Sequence, residues 1–136
     1  MKTLNERSKK NLIGVHPDLV KVIETAIVDS PLDFTLTEGV RTVERQQELY
    51  AQGRTKPGQI VTNTDGIKVK SNHQPKADGY GYAVDIYATP INVNDTVRIG
   101  AVALHIKNTA KSLGISVEWG GDWKMKDYPH FELKKV

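Results

Sequence analysis

A polar stretch, residues 54–80, is the feature that most restricts how this chain folds. It is rich in Gly, Pro, Asn, Asp and Lys and shows neither helical nor strand periodicity. A segment of this length without regular structure is too long for a simple connection inside a compact domain, and such segments often carry function. We therefore expect regular elements on either side of it and functional side chains within it.

Short-range signals on both sides of this stretch predict helices and strands. Thr3 and Glu6 have the spacing of a capping box, and Thr42 and Asp95 are suited to cap two further helices. The predicted elements are, in chain order, a helix ending at residue 13, a helix from residue 17, a strand over 33–37, a helix over 43–52, a strand over 82–87, a helix over 96–113, and strands over 115–119 and around 130–133. Helices followed by mixed strands predict an α+β fold, with helices packed on a small antiparallel sheet. A chain of 136 residues has the length of one domain, 1–136.

Composition narrows the possible functions. The chain has no cysteine, so any metal must be held by His, Asp or Glu. No apolar run approaches the roughly 20 residues of a membrane span, so we expect no membrane insertion. The net charge is only +3 and the basic residues are spread along the chain, so we expect no nucleic-acid partner. A weak positive field favours an anionic polymer, although solubility alone explains it equally well. The N-terminal segment lacks the apolar run of a signal peptide.

Two of the four histidines, His73 and His130, lie in polar or Gly-punctuated sequence with a carboxylate nearby. His16 and His105 fall at a predicted helix start and inside a predicted helix, where packing or surface roles are expected. Asp127 precedes His130 by three residues, which places a carboxylate on the turn leading into a strand. Such a pair can hold a water between a metal and a base, although Asp-x-x-His alone matches many surface turns.

Asp85 lies inside the apolar strand predicted over 82–87. A buried carboxylate without a partner is costly, so it must be neutralised by a metal, by an arginine such as Arg41, or by backbone donors. With His73 and His130 it would make a three-ligand set that leaves a position for water, as in catalytic zinc sites.

Four further side chains have both a functional and an ordinary explanation. Arg41 can bind a substrate carboxylate or carbonyl and stabilise a tetrahedral intermediate, or form a salt bridge at a strand end. Ser71 can hydrogen-bond the substrate or brace His73, or be a polar loop residue. Trp119 and Trp123 flank a Gly-Gly-Asp turn, and either can wall a cleft or pack in a core. We include Trp119 among the candidate substrate-binding or supporting residues.

Three short motifs occur in the order Ser71-x-His73, Gly81-x-Ala83-x-Asp85 and Asp127-x-x-His130. Together they resemble the M15 family of zinc peptidases that act on peptidoglycan. The runs 39–62 and 119–123 are also similar to this family, and the likeness spans about residues 30–133. The family includes D-alanyl-D-alanine carboxypeptidases and dipeptidases and the L-alanyl-D-glutamate endopeptidases of phage endolysins. Its hedgehog/DD-peptidase-like fold, α+β with a small antiparallel sheet, agrees with the predicted element order.

The resemblance implies a role for each matching residue. The residues implied to hold Zn²⁺ are His73, Asp85 and His130, the implied general base is Asp127, and the implied substrate-facing or supporting residues are Arg41, Ser71 and Gln46. Asp rather than Glu at position 127 is similar to the phage endopeptidases. Residues 74–78 look like an insertion between the first histidine and the aspartate, which is a departure from the family's usual spacing.

The function expected from the resemblance is that of a zinc-dependent peptidoglycan peptidase of endolysin type. Its partner would be the bacterial stem peptide, cleaved at the L-alanyl-D-glutamate bond. We expect a monomer that is made in the host cytoplasm and reaches the wall through a phage pore. One alternative is a D-alanyl-D-alanine carboxypeptidase, which would normally need an export signal. Another is a non-catalytic metal-binding module for wall recognition, against which the presence of Asp127 argues.

Overall fold

A computed structural model describes residues 2–62, 64–67, 71–124 and 126–134 of the chain. The elements are α1 (Glu6–Asn11), α2 (Pro17–Val28), β1 (Phe34–Glu38), α3 (Val43–Ala51), β2 (Ala83–Ala88), α4 (Thr96–Ser112), β3 (Val117–Trp119), a 3₁₀ turn (Gly120–Asp122) and β4 (His130–Leu133). The described part of 54–80 contains no helix or strand. Among the described residues, no helix combines the length and the apolar character that crossing a bilayer requires. The predicted α+β fold is confirmed, and the single domain over 1–136 stays a prediction.

The four strands form one antiparallel sheet in the order β1-β2-β4-β3, so β2 and β4 are its central strands. Helices α2 and α4 pack against each other and against the sheet. Val84, Ile86 and Phe131 are fully buried in this core. Because side chains alternate along a strand, Asp85 and His130 must point to the opposite face of the sheet. The helices therefore cover one face, and the other face carries the polar residues.

Helix α1 protects the outer edge of the sheet. The edge strand β1 has an unpaired backbone at Leu36, whose N–H donates to Ser8 Oγ (3.0 Å) and whose carbonyl accepts from Asn11 Nδ2 (2.9 Å). Side chains of α1 thus replace a further strand, which satisfies the backbone groups and blocks edge-to-edge association.

The predicted helix caps are right at two positions and wrong at one. The side chains of Thr42 and Asp95 accept from the backbone N–H groups that begin α3 and α4, as predicted. The capping box of Thr3 and Glu6 does not form. Asn5 caps α1 instead, because its side chain accepts from the Ser8 N–H at 2.8 Å and its amide group is also held by a strand residue. Helix α1 then ends at residue 11 rather than 13.

Candidate metal centre

The register of the two central strands places Asp85 directly opposite His130. Residues directly opposed in an antiparallel pair project from the same face, so their side chains meet on the polar side of the sheet. His130 Nδ1 lies 3.8 Å from Asp85 Oδ1. The backbone hydrogen bonds of the sheet therefore fix the approach of these two side chains.

His73 reaches the same place from the long polar segment. Its backbone carbonyl accepts from the Arg41 N–H at 2.7 Å, and its ring Nδ1 lies 3.0 Å from the Gly39 carbonyl oxygen. The other ring nitrogen, Nε2, is 3.3 Å from Asp85 Oδ1. Only glycine fits at position 39, because an added Cβ would lie 1.8 Å from the Asn11 carbonyl oxygen. The close approach at Gly39 thus provides the acceptor that orients His73.

The three side chains suit a metal ion. Among the described residues, the ligand atoms of His73, Asp85 and His130 lie within 4.8 Å of one another. Metal–ligand bonds of about 2.0–2.2 Å place the donor atoms of a tetrahedral site about 3.4 Å apart. The separations of 3.3 Å and 3.8 Å from Asp85 to the two imidazoles bracket that value. Two imidazole nitrogens and a carboxylate oxygen are a donor set that zinc and other transition metals favour.

The carboxylate of Asp85 is stabilised in its charged form. Burial by itself raises the pKa of this group, but the hydrogen bond and positive charge of His73, with the charges of His130 and Arg41, hold the pKa of Asp85 below its usual range. The Arg41 Nη2 atom is 3.9 Å from Asp85 Oδ2. Arginine and histidines thus surround Asp85 together, and the two explanations for a buried carboxylate at this position are compatible.

Asp127 stands at the rim of this cluster on the turn before β4. Its Oδ2 lies 3.9 Å from His130 Nδ1, and about half of its side chain is exposed. Burial raises the pKa of Asp127 above its usual range, and the negative charge of Asp85 adds to this effect. The Asp127 N–H donates to the Gly120 carbonyl at 2.9 Å, and a Cβ at Gly120 would lie 2.2 Å from the Asp127 carbonyl oxygen. The Gly-Gly turn therefore allows the backbone approach that positions this carboxylate.

Three hydrogen bonds to two neighbouring side chains hold Arg41 in place. Its Nε and Nη2 atoms donate to the two carboxylate oxygens of Glu38 at 2.9 and 3.0 Å, and its Nη1 donates to Gln46 Oε1 at 2.8 Å. Gln46 is fully buried and also donates to the Thr64 carbonyl at 2.6 Å. The strand-end salt bridge considered for Arg41 does form. The guanidinium nevertheless lines the cleft, so its remaining N–H groups are near any bound substrate.

Ser71 and the tryptophans occupy different positions from one another. Ser71 lines the cleft, and its Oγ accepts from the His73 N–H at 3.2 Å. Trp119 is not among the residues that line the cleft, and its role as a substrate-binding or supporting residue stays a prediction. It stacks on Phe131, its partner in the β3–β4 register, and donates its indole N–H to the Tyr128 carbonyl. Trp123 lines the cleft instead, with its ring centroid 5.0 Å from that of His130.

Two neighbours of the cluster, Glu132 and Asn72, were not predicted from the sequence. His130 Nε2 is 2.8 Å from Glu132 Oε1, and Asn72 Nδ2 donates to Glu132 Oε2 at 3.0 Å. The hydrogen bond and charge of His130 outweigh burial, so the pKa of Glu132 lies below its usual range. The spacing His130-x-Glu132 on a strand was the available signal, since it puts both side chains on one face.

These residues line an open cleft of about 440 Å³. Arg41, Ser71 and the three candidate ligands line it, together with Trp123 and Asp127 from the segment before β4.

Two histidines, an aspartate and an adjacent carboxylate in one cleft of an α+β scaffold are the arrangement that a metal-dependent hydrolase requires. The chain belongs to the phage L-alanyl-D-glutamate peptidase family, whose family model matches residues 1–135. It is 33% identical over 132 residues to the L-alanyl-D-glutamate peptidase of Escherichia phage T5, covering 96% of this chain and 88% of the phage protein.

Two further relatives agree with this assignment. The peptidoglycan L-alanyl-D-glutamate endopeptidase CwlK of Bacillus subtilis (strain 168) is 37% identical over 122 residues, which cover 82% of this chain and 66% of the Bacillus protein. The crystal structure of the Serratia marcescens L-Ala D-Glu endopeptidase ChiX matches with a TM-score of 0.69 and 33% identity. That match covers 97% of this chain and 90% of the Serratia chain. The predicted family resemblance is confirmed.

Proposed function

We propose that this chain is a zinc-dependent endopeptidase that cleaves the L-alanyl-D-glutamate bond of peptidoglycan stem peptides. The observation that carries the proposal is the cluster of His73, Asp85 and His130 with Asp127 beside it, in one cleft. The phage, Bacillus and Serratia relatives are all named for the L-alanyl-D-glutamate bond, which favours this bond over a terminal D-alanyl-D-alanine bond.

The cluster would hold Zn²⁺ through one nitrogen of each histidine and one oxygen of Asp85. When bound, zinc supplies Lewis acidity, which polarises a carbonyl group and lowers the pKa of water. Asp127 then accepts a proton from the attacking water and delivers it to the nitrogen of the leaving amine. Burial raises the pKa of Asp127, which makes its carboxylate a stronger base toward that water.

The other cleft residues bind and orient the substrate. Arg41, fixed by Glu38 and Gln46, directs its remaining N–H groups toward negative charge on the substrate or on the reacting carbonyl. Ser71 holds the backbone of His73 and has a hydroxyl at the cleft wall. Because their partners are themselves buried or hydrogen-bonded, these groups keep their geometry while the substrate enters.

The place of action follows from the substrate. We expect the enzyme to act on the bacterial wall as an endolysin, made in the host cytoplasm and released through a phage pore, and to work as a monomer. Size-exclusion chromatography with light scattering tests the monomer, and lysis of cells from within, with and without a co-expressed pore protein, tests the release route.

Hydrolysis of purified peptidoglycan is the test of the activity. The protein is assayed with and without a chelator, and new termini are identified by mass spectrometry. Chelator-sensitive appearance of D-glutamate N-termini is the expected result, and restoration by Zn²⁺ rather than by Mn²⁺, Co²⁺ or Ni²⁺ at equal amounts supports zinc. An Asp127→Asn protein purified in parallel controls for contaminating hydrolases. Release of terminal D-alanine would instead indicate a carboxypeptidase, and no release from several wall types would leave a metal-binding module.

A further inference from the structure

Glu132 is a buried carboxylate that contacts the candidate ligand His130 on the side away from the cluster. It is 7% exposed and lies two residues after His130 on β4, on the same face of the sheet. One oxygen, Oε1, is 2.8 Å from His130 Nε2, and the other accepts from Asn72 Nδ2 at 3.0 Å. In the β2–β4 register, Glu132 lies opposite Ala83, whose small side chain stands two residues before Asp85.

The contact determines which ring nitrogen of His130 carries the proton. Glu132 Oε2 already accepts from the Asn72 amide, so Oε1 faces Nε2 as an acceptor, and the contact is a hydrogen bond when Nε2 carries the proton. A neutral imidazole protonated at Nε2 has its lone pair at Nδ1. That atom faces the cluster, at 3.8 Å from Asp85 Oδ1 and 3.9 Å from Asp127 Oδ2. Without an acceptor beside Nε2, the proton could move to Nδ1, and the lone pair would then point away from the metal.

Asn72 connects this contact to the other histidine. It directly precedes His73, and its backbone carbonyl accepts from the Tyr82 N–H at 2.8 Å. Its side chain holds the outer oxygen of Glu132, which leaves Oε1 directed at His130. The pair therefore joins the segment that carries His73 to the strand that carries His130.

We propose that Glu132 is a positioning residue that holds His130 in the Nε2–H tautomer, with Nδ1 as the metal-binding atom, and that Asn72 holds Glu132 in place. This inference rests on the proposed metal centre. It assigns Glu132 no contact with the reacting atoms. The carboxylate acts on the metal through the imidazole, an arrangement whose loss typically weakens metal binding about 10- to 100-fold.

The test uses the full chain and two measurements. The tautomer of His130 is read from ¹⁵N chemical shifts of histidine-labelled, metal-free protein at about pH 9, well above the ordinary histidine pKa of about 6.5. Zn²⁺ affinity is measured by competition with a chromophoric chelator. In Glu132→Ala we expect a shift of His130 toward the Nδ1–H form and Zn²⁺ binding about 10- to 100-fold weaker. Glu132→Gln should recover part of both, because its amide oxygen can still accept from Nε2. Asn72→Ala should produce a smaller change in the same direction.

Glu118→Gln is the matched control. Glu118 lies opposite Glu132 in the β3–β4 register, and its substitution by Gln removes the same negative charge. Its partners, however, are Lys134 and Trp123 rather than a histidine. It should leave the His130 shifts and the Zn²⁺ affinity unchanged.

The outcome separates this inference from the proposed function. If wild-type, metal-free protein shows His130 protonated at Nδ1, or if Glu132→Ala keeps both the tautomer and the affinity, the inference is overturned even in an active enzyme. If the wild type fails to hydrolyse peptidoglycan but shows the Nε2–H form that Glu132→Ala loses, the tautomer role stands and the proposed function fails. If Glu132→Ala does not fold, the inference is tested with Glu132→Gln and Asn72→Ala, using the same ¹⁵N shifts and Zn²⁺ affinities.

Discussion

Asp127→Asn changes the carboxylate at the rim of the metal cluster into an amide of nearly the same shape, and so separates proton transfer from metal binding. Asp127 is not one of the three residues whose ligand atoms lie within 4.8 Å of one another. Zinc should therefore stay bound in the variant. Loss of a general base typically lowers turnover about 10²–10⁴-fold, which corresponds to about 3–5 kcal/mol of activation free energy.

The same change should not weaken the fold. Burial and the nearby charge of Asp85 raise the pKa of Asp127 in the folded state. A raised carboxyl pKa means that the charged form is less favourable in the folded than in the unfolded chain at neutral pH. A neutral amide removes that cost. Because the side chain is about half exposed, solvent screens the effect. We expect the free energy of unfolding of metal-free protein to rise by no more than about 1 kcal/mol.

Three measurements on one preparation test this reasoning: the rate of peptidoglycan hydrolysis, the zinc content by elemental analysis, and the thermal midpoint with and without chelator. Asp122→Asn is the matched control, because Asp122 lies in the preceding turn, is about half exposed and pairs with Lys107 outside the cleft. It should keep wild-type activity. Activity of Asp127→Asn within tenfold of wild type would refute the base assignment. Loss of zinc would show instead that Asp127 is a ligand, and a lowered midpoint of the metal-free protein would refute the electrostatic argument.

Two further predictions concern stability. Gln46→Leu removes the buried amide that hydrogen-bonds the Arg41 guanidinium at 2.8 Å and the Thr64 carbonyl at 2.6 Å. It should lower the free energy of unfolding, measured by urea titration, by about 2–4 kcal/mol. A loss below about 0.5 kcal/mol would contradict a stabilising role for this buried network. Folding lowers the pKa values of Asp85 and Glu132, so both carboxylates contribute to the free energy of unfolding. This stabilisation is complete above the unfolded carboxyl pKa of about 4. It is lost as the pH falls through the lower pKa values of the folded protein. Chelated protein should therefore lose stability steeply below about pH 4, and the double variant Asp85→Asn, Glu132→Gln should flatten that slope; equal slopes in the two proteins would contradict the assignment.

Local signals in the sequence were enough to predict most of the fold. Caps at Thr42 and Asp95 and the apolar stripes of α2 and α4 specify elements through contacts a few residues apart, which a sequence displays directly. The predictions failed where a residue distant in the sequence determines where an element begins. Strand β3 begins at Val117 rather than at residue 115, because the Ile115 N–H turns back to the Ala110 carbonyl of α4 at 2.9 Å. At α1, the amide of Asn5 is held by a residue of β1.

The site shows the same division between local and distant information. The candidate ligands could be named because histidines and a carboxylate in unusual sequence surroundings indicate a metal. The two tryptophans could not be told apart, because only the β3–β4 register shows that Trp119 lies opposite Phe131 and packs on it. Glu132 was missed for a related reason. Its role depends on Asn72, a residue 60 positions earlier in the chain, and the spacing to His130 alone does not indicate a hydrogen bond.

The long polar segment, 54–80, has no regular structure, yet it holds the candidate metal ligand His73 in place. It can do so because backbone hydrogen bonds on both sides of His73 tie it to residues that flank β1 and β2. The His73 carbonyl accepts from Arg41 after β1, and the Asn72 carbonyl accepts from Tyr82 before β2. Gln74 is buried and bonds the Ser71 N–H and the Gly66 carbonyl at 2.8 and 3.1 Å, so it closes the segment on itself. The residues predicted to be an insertion, 74–78, lead into an exposed turn that the Lys76 N–H and Tyr80 carbonyl close at 2.9 Å. Since these anchors precede or follow the exposed residues 75–80, that turn lies outside the contacts that hold His73 in place.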